Sequence, residues 1–347
     1  MDTGHSPTAL APETQAALLL YQLGTGYMVS AALQTVLQLD IADKLTVGAR
    51  PVSELATEAG VLEDPLYRVM RTLASVGVFD EQAPRRFALT PAGAMLRKGP
   101  GSFYDMGVFL TSPTHFRVYA EMMHSMRTGE PAANTVLGKP VFEYLPEHPE
   151  FSALFNNAMT AFSATVAPAL LKVYDFSGIE TLVDVAGGHG QLLTTILREY
   201  PQMRGVLFDL EHVIAGASSI IERGGVSGRC RTESGDMFSS VPRGDAYIMK
   251  HIIHDWDDDK ATVILKNIRT QLVDQPKGRV ILLDSVLAPG NEPDLGKMID
   301  LEMMLMPGGR ERTAEEFRVL FAGAGFELTR IERTESTLCV IEARPRT

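Results

Sequence analysis

Apolar residues recur at three- and four-residue steps from Thr14 to about Lys44, through Leu18, Tyr21, Val29, Leu33, Val36 and Leu37, which predicts one long helix. Few charges solvate its outer face. A helix that is apolar nearly all round must be covered, and in a small domain a second subunit is the expected cover. In residues 50–98, Ser53 is placed to cap a short helix ending at Gly60, and Asp64-Pro65 opens a second with the apolar face Leu66, Val69, Met70 and Leu73, closed by Gly77. Val78-Phe79 and Phe87–Leu89 flank the polar tip 81–86, and Thr90-Pro91 starts another helix, completing a winged-helix pattern. Residues 102–173 read as helices joined by polar turns. From Glu180 onward short β-rich runs alternate with helical segments: Thr181–Ala186, Arg204–Phe208, Arg229–Glu233, Ala246–Lys250, Val280–Leu283, Phe326–Glu332 and Leu338–Glu342. The predicted class is therefore α/β, a mostly parallel seven-stranded sheet covered on both faces, behind a mainly α winged-helix domain. The last two strands, joined by Arg333–Ser336, are expected to pair antiparallel.

A length of 347 residues with 45% hydrophobic and 22% charged residues is that of an ordinary globular protein of two domains or one enlarged one. The net charge of −11 repels nucleic acid and anionic membrane surfaces. The winged-helix segment does not reverse this: it carries seven Lys/Arg against six Asp/Glu, and its second helix offers only Arg68 and Arg71 after Glu63-Asp64. No nucleic-acid partner is expected. Cys230 and Cys339 have no C-x-x-C spacing, so neither a disulfide framework nor a zinc site is suggested. Met1–Glu13 lacks a basic and apolar leader pattern and no run approaches 18 apolar residues, which predicts a loose tail, no membrane association and a cytoplasmic location.

The strongest chemical signal is Leu182–Leu193, a buried strand running into Gly187, Gly188 and Gly190 and then into an amphipathic helix. This turn brings backbone amides close to a nucleotide-like ligand. Leu193 stands where a third glycine would let a pyrophosphate lie against the helix, which argues against a dinucleotide. Asp209, nineteen residues after Gly190, closes the next strand and can accept both ribose hydroxyls of an adenosine. Gly235-Asp236-Met237-Phe238 follows the third strand, with a carboxylate for an adenine amino group and a thioether for its face. Asp184, Asp209 and Asp236 thus share one position, at or near the carboxyl ends of sheet strands. The run Tyr247–Asp259 ends a strand and opens a helix near Asp257, which places His254 at the ligand edge. His251 and His254 precede four carboxylates, but Asp257–Asp259 suit a helix N-terminus and no distant His or Cys cluster completes a metal site, so none is expected. Asp284 closes a later strand, and Glu311 lies in Pro307–Thr313 just before a helix.

With these residues in view the chain resembles the class I S-adenosylmethionine-dependent O-methyltransferases of the hydroxyindole and caffeate type, from the first helix to the last strand. Leu182–Gly190, Phe208–Ile214, Gly235–Pro242, Met249–Asp258 and Gly308–Phe317 match in family order. The resemblance implies a Rossmann-like methyltransferase domain at 106–347, with an acceptor-lining helical segment at 106–173 and its core at 174–347. Residues 1–105 become a dimerisation domain and the protein a homodimer. S-adenosyl-L-methionine is the implied cofactor, leaving as S-adenosyl-L-homocysteine, and Gly188, Asp209, Asp236, Met237 and Lys250 fall on positions that hold it. Asp184, Gly187, Gly190, Leu210, Gly235 and Phe238 belong to the same motifs. His254 falls on the catalytic base, flanked by Asp284 and Glu311. An aromatic acceptor would meet Phe155, Asn156, Met159, Phe162 and Trp256. Several of the sixteen methionines, among them Met106, Met303 and Met304, lie in segments the family uses around that acceptor. The chain departs from the family at Ala186, where glycine is common, and at Asp284, one methylene shorter than the plant glutamate.

A phenol with pKa about 10 and an imidazole near 6.5 leave proton transfer uphill by roughly 5 kcal/mol. Asp284 or Glu311 on the far imidazole nitrogen would narrow that gap, giving a metal-independent base. A relative that decarboxylates or hydroxylates its substrate would share every cofactor motif, and a ligand-sensing regulator would share the winged helix.

Overall fold

The computed structural model describes residues 10–99, 101–272 and 277–346. The chain divides into two compact units that meet in sequence at Ser112 and Pro113.

In the first unit the long helix spans Pro12–Gln38, shorter at its C-terminus than the periodicity predicts. Asp40 is left-handed (φ 52°), a conformation its short polar side chain tolerates, and a separate turn of helix, Ile41–Lys44, follows. The expected tail lies outside the described residues up to position 9, while Pro12 and Glu13 already open the helix. Ala32, Val36, Ile41, Leu45, Leu55, Met70, Leu73, Phe79 and Phe87 form the core of this unit. Only the part of the long helix from Val29 onward packs on this core; from Pro12 to Met28 it is bare on every side, with Leu20, Tyr21 and Leu23 68%, 73% and 69% exposed. Its length and mean hydropathy of 1.3 would also suffice to cross a membrane, which a count of consecutive apolar residues misses.

The wing is a three-stranded sheet, β1 (Arg50–Pro51), β2 (Phe79–Ala83) and β3 (Arg86–Leu89), in the order β1-β3-β2. Pairing of Arg50-Pro51 with β3 starts the next helix at Val52, so Ser53 lies inside helix Val52–Ala59 and Pro51 is its N-cap. Gly60 (φ 69°) ends that helix, and Gly77 (φ 84°) turns the chain after helix Glu63–Ser75. Thr90 caps helix Pro91–Ala94, its Oγ1 accepting from the Gly93 N–H.

The second unit holds β4 (Thr181–Val185), β5 (Arg204–Asp209), β6 (Cys230–Ser234), β7 (Ala246–Lys250), β8 (Arg279–Asp284), β9 (Phe326–Arg333) and β10 (Cys339–Pro345). Each matches an expected run to within three residues at its ends. Their order is β6-β5-β4-β7-β8-β10-β9, with β10 antiparallel to both neighbours. Chain progression runs outward from β4 to β6, then restarts with β7 on the other side of β4. That reversal opens a crevice at the carboxyl ends of β4 and β7, where such sheets bind ligands. Two cores cover the faces, one around Leu193, Ile196, Leu207 and Ile248, the other around Val183, Val206, Leu282 and Phe321.

Candidate active site

Each loop at that crevice is shaped by close backbone approach. After β4 the chain turns through Ala186 (φ 54°) and Gly188 (φ 60°) to Gly190 (φ 80°), which caps helix Gln191–Glu199. A Cβ on Gly187 would stand 2.6 Å from both Asp184 Oδ2 and Leu207 Cδ1. Asp209 accepts from the Gly188 N–H (2.8 Å) and from its neighbour Leu210 (2.7 Å), which ties the first loop to the second. Burial still holds its carboxyl above the usual range. Asp236 accepts from the Phe238 N–H at 2.8 Å, and a Cβ on Gly235 would meet the Phe208 ring at 2.7 Å. After β7, His251 is left-handed (φ 54°), matching Ala186 after β4. Strained positions of this kind persist where surrounding structure overdetermines them.

These loops and the helices Val141–Tyr144 and Pro149–Val173 enclose a cavity of about 530 Å³. Asp184, Gly187, Gly188, Asp209, Leu210, Gly235, Asp236, Met237, Phe238 and Lys250 line it, as do Phe155, Asn156, Met159 and Trp256. Gly190 stands behind the wall, where a Cβ would lie 2.9 Å from Leu207 Cδ2. Phe162 also lies outside the lining and backs it, 5.0 Å from the His251 ring and 5.2 Å from Lys250 Nζ. Met303 is buried, and Met304 packs in the cluster of Val118, Ala132, Val141 and Phe142, so neither lines the cavity. Met106 lies in helix Tyr104–Leu110 of the first unit. The lining also includes Phe142, whose ring is 5.3 Å from Trp256, and His251 and Asp255, none of which the sequence singled out for it.

His254 occupies the 3₁₀ turn Ile253–Asp255, buried behind His251 at a ring separation of 4.3 Å. Its Nδ1 is hydrogen-bonded to Glu311 Oε1 at 2.7 Å, and its Nε2 lies 3.5 Å from Asp255 Oδ1. Of the two expected flanking acids, Glu311 holds the ring; neither oxygen of Asp284 has a hydrogen-bond partner among the described residues. Burial pushes Glu311 up to about 8, reinforced by Asp300 and opposed by Arg312. Burial likewise raises Asp284 and Asp255 to about 7, each opposed by His254. Burial also raises Asp184 to about 7 and lowers Lys250 to about 8, each charge partly sustaining the other.

A second loop fixes the His254 turn. Arg310 N–H donates to the His254 carbonyl at 2.8 Å, and a Cβ on Gly309 would stand 2.0 Å from that oxygen. Arg312, 1% exposed, donates to Asp258 Oδ1 (2.9 and 2.8 Å) and to the carbonyls of Ile253 (3.1 Å) and Trp256 (2.9 Å). In sequence, Arg310-Glu311-Arg312 reads as a charged loop, and nothing there distinguishes the buried arginine from the exposed one.

This sheet with a glycine turn, carboxylates ending successive strands and a carboxylate-held imidazole defines a nucleotide-fold transferase site. An O-methyltransferase domain matches residues 119–327, and an O-methyltransferase dimerisation domain matches residues 21–99. Over 328 residues the chain is 40% identical to the phenazine O-methyltransferase PhzM of Lysobacter antibioticus, covering 94% of this chain and 96% of that protein. It is 38% identical to the O-demethylpuromycin-O-methyltransferase of Streptomyces alboniger over 338 residues, 92% of this chain and 87% of that one. The crystal structure of CalO1, a calicheamicin-biosynthesis methyltransferase with S-adenosylhomocysteine bound, superposes with a TM-score of 0.86 at 32% identity, covering 97% of this chain and all of that one. The chain belongs to the S-adenosylmethionine-dependent O-methyltransferases. Its residues suit that cofactor: Asp184 Oδ2 is a buried acceptor with no hydrogen-bond partner, and the glycine turn leaves backbone bare beside Asp209.

Proposed function

We propose that the protein methylates a phenolic hydroxyl of an aromatic small molecule, with His254 as general base, Glu311 as the group that holds and charges it, and no metal ion in the reaction. The observation that carries this reading is the 2.7 Å hydrogen bond from His254 Nδ1 to Glu311, set one ring behind the cavity wall. Bound S-adenosylmethionine supplies an activated methyl group. Gly188, Asp209, Asp236, Met237 and Lys250 hold the cofactor, with Asp184 taking its cationic end. Phe142, Phe155, Met159 and Trp256 supply a flat apolar wall for an aromatic ring. The chain's part in the chemistry is to position the acceptor and take its proton. With Nδ1–H of His254 donated to Glu311, Nε2 is left to accept, and Glu311, held toward its neutral form by burial while the ring is uncharged, is drawn into its ionised form by the imidazolium it then stabilises. Asp284 adds a nearby acid without orienting the ring. A relative named for phenazine supports an aromatic acceptor.

Two further parts of the reading concern the molecule as a whole. The bare stretch Pro12–Met28 of the long helix is covered by a second copy, since the matched dimerisation domain begins within that helix. Cys230 and Cys339 are buried free thiols, in keeping with a reducing cytoplasm.

His254→Gln is expected to reduce methyl transfer by roughly 10²-fold or more with S-adenosylmethionine affinity retained. Labelled-methyl transfer to a phenol panel, alongside calorimetric cofactor binding, reads both; near-normal turnover by the folded variant removes His254 as the base.

A further inference from the structure

His251 and His254 lacked a third ligand in the sequence, and the sheet supplies one from β8. His251, His254 and Asp284 bring one donor atom each to within 4.8 Å of one another. Asp284 is fully buried, and neither of its oxygens has a hydrogen-bond partner; Nε2 of His251 is a second buried atom without one. Buried polar groups are normally paired, so this cluster presents buried polar atoms that nothing among the described residues satisfies. The Glu311 bond to His254 Nδ1 completes the pattern: a carboxylate on one imidazole nitrogen fixes the tautomer and directs the other nitrogen at a metal.

We propose that His251, His254 and Asp284 form a three-ligand site for a Zn²⁺-class divalent ion, which inhibits the enzyme by occupying the nitrogen that otherwise accepts the substrate proton. Two imidazoles and one carboxylate are a familiar zinc set that leaves a fourth position open. Bonds of about 2.0–2.2 Å require the three donors to draw together from their present spacing. Binding therefore requires the His251 ring to turn from its stack on His254 and Phe162, a shift that the metal titration reads. Asp255 and Glu311 add acidic groups around the cluster, while Lys250 and Arg312 oppose the ion from other sides. The ion is an inhibitor here, so the site does not conflict with a metal-independent reaction. The inhibitory half rests on His254 being the base; the binding half does not.

The test uses Co²⁺ as a spectroscopic stand-in for Zn²⁺, titrated into the full-length protein. A visible absorption band of low-coordinate Co²⁺ saturating at one equivalent and lost on adding Zn²⁺ is expected. His251→Ala and Asp284→Asn should each weaken binding by about 10-fold or more, with fold checked by S-adenosylhomocysteine binding. No band, or unchanged affinity in both variants, overturns the site. Loss of methyl transfer should follow occupancy and be reversed by a chelator. Full activity with the ion bound at these ligands overturns the inhibitory claim, whereas near-normal turnover by metal-free His254→Gln overturns the base assignment and the inhibitory half with it, leaving the binding half to the Co²⁺ titration.

Discussion

Asp184 ends β4 at 1% exposure, and burial raises its carboxyl to about 7 against the pull of Lys250. A raised folded-state pKa contributes stability below the unfolded value near 4 and loses it as pH rises toward 7, at up to about 1.4 kcal/mol per unit. A cationic ligand beside the carboxyl reverses the preference by favouring its ionised form. Cofactor binding is therefore expected to release protons and to tighten from pH 6 to pH 8. Calorimetry in two buffers of different ionisation enthalpy measures the release, and Asp184→Asn should flatten the dependence; an unchanged slope in that variant assigns it elsewhere. Glu311 gives a second prediction at this scale. Glu311→Gln preserves shape but removes the charge that stabilises the imidazolium, so kcat should fall by roughly 10-fold or more with cofactor affinity unchanged. Asp284→Asn, which removes no hydrogen bond to the ring, should cost less when metal is excluded. Equal losses in the two variants would deny Glu311 its separate role.

Two short segments, 253–258 and 308–312, act as one element although some fifty residues separate them. Main-chain and guanidinium hydrogen bonds join them, and the missing Cβ of Gly309 permits the approach. Gly309→Ala would drive the two strands of chain apart and move His254 away from its working position. An ångström of misplacement is worth roughly 10²-fold in rate, so kcat should drop on that scale while cofactor affinity, whose proposed contacts come mainly from the loops after β4, β5 and β6, stays within about 2-fold of the parent. Equal losses in both would mean general unfolding. The segments themselves were legible: His254 follows a strand and precedes a helix, Glu311 lies just before a helix, and all seven strands of the main sheet announce themselves by β-rich runs bounded by turns. What joins the segments was not legible, because Arg312 looks like any loop arginine until the fold buries it. Phe142 and His251 were likewise invisible as cavity lining, their roles depending on contacts made only in the folded chain. Leu193 shows a motif departure with a physical account. The close approach of helix and strand is provided from the strand side by Gly205, where a Cβ would stand 3.0 Å from Leu193 Cδ2 and 2.7 Å from Leu197 Cδ1.

At the scale of the molecule, the first unit packs only the C-terminal part of helix Pro12–Gln38 and leaves Pro12–Met28 to solvent, a run of exposed apolar side chains of the kind that marks an interaction site. The periodicity had already indicated a helix with too few charges to face water, and the structure identifies Leu20, Tyr21 and Leu23 among its most exposed apolar side chains. With a net charge of −11, two copies repel weakly at long range, so the apolar face must supply the attraction. In a two-fold dimer each side chain counts twice, and burying a leucine contributes about 1.5–3 kcal/mol. Leu20→Glu combined with Leu23→Glu should therefore weaken association by far more than 10²-fold, giving a monomer at micromolar concentration in sedimentation equilibrium. Cofactor affinity should survive, because every residue lining the cavity belongs to the second unit. A double variant that stays dimeric would show that the second copy is held by another surface. A monomer that binds cofactor normally but transfers methyl slowly would show that the partner completes the acceptor site.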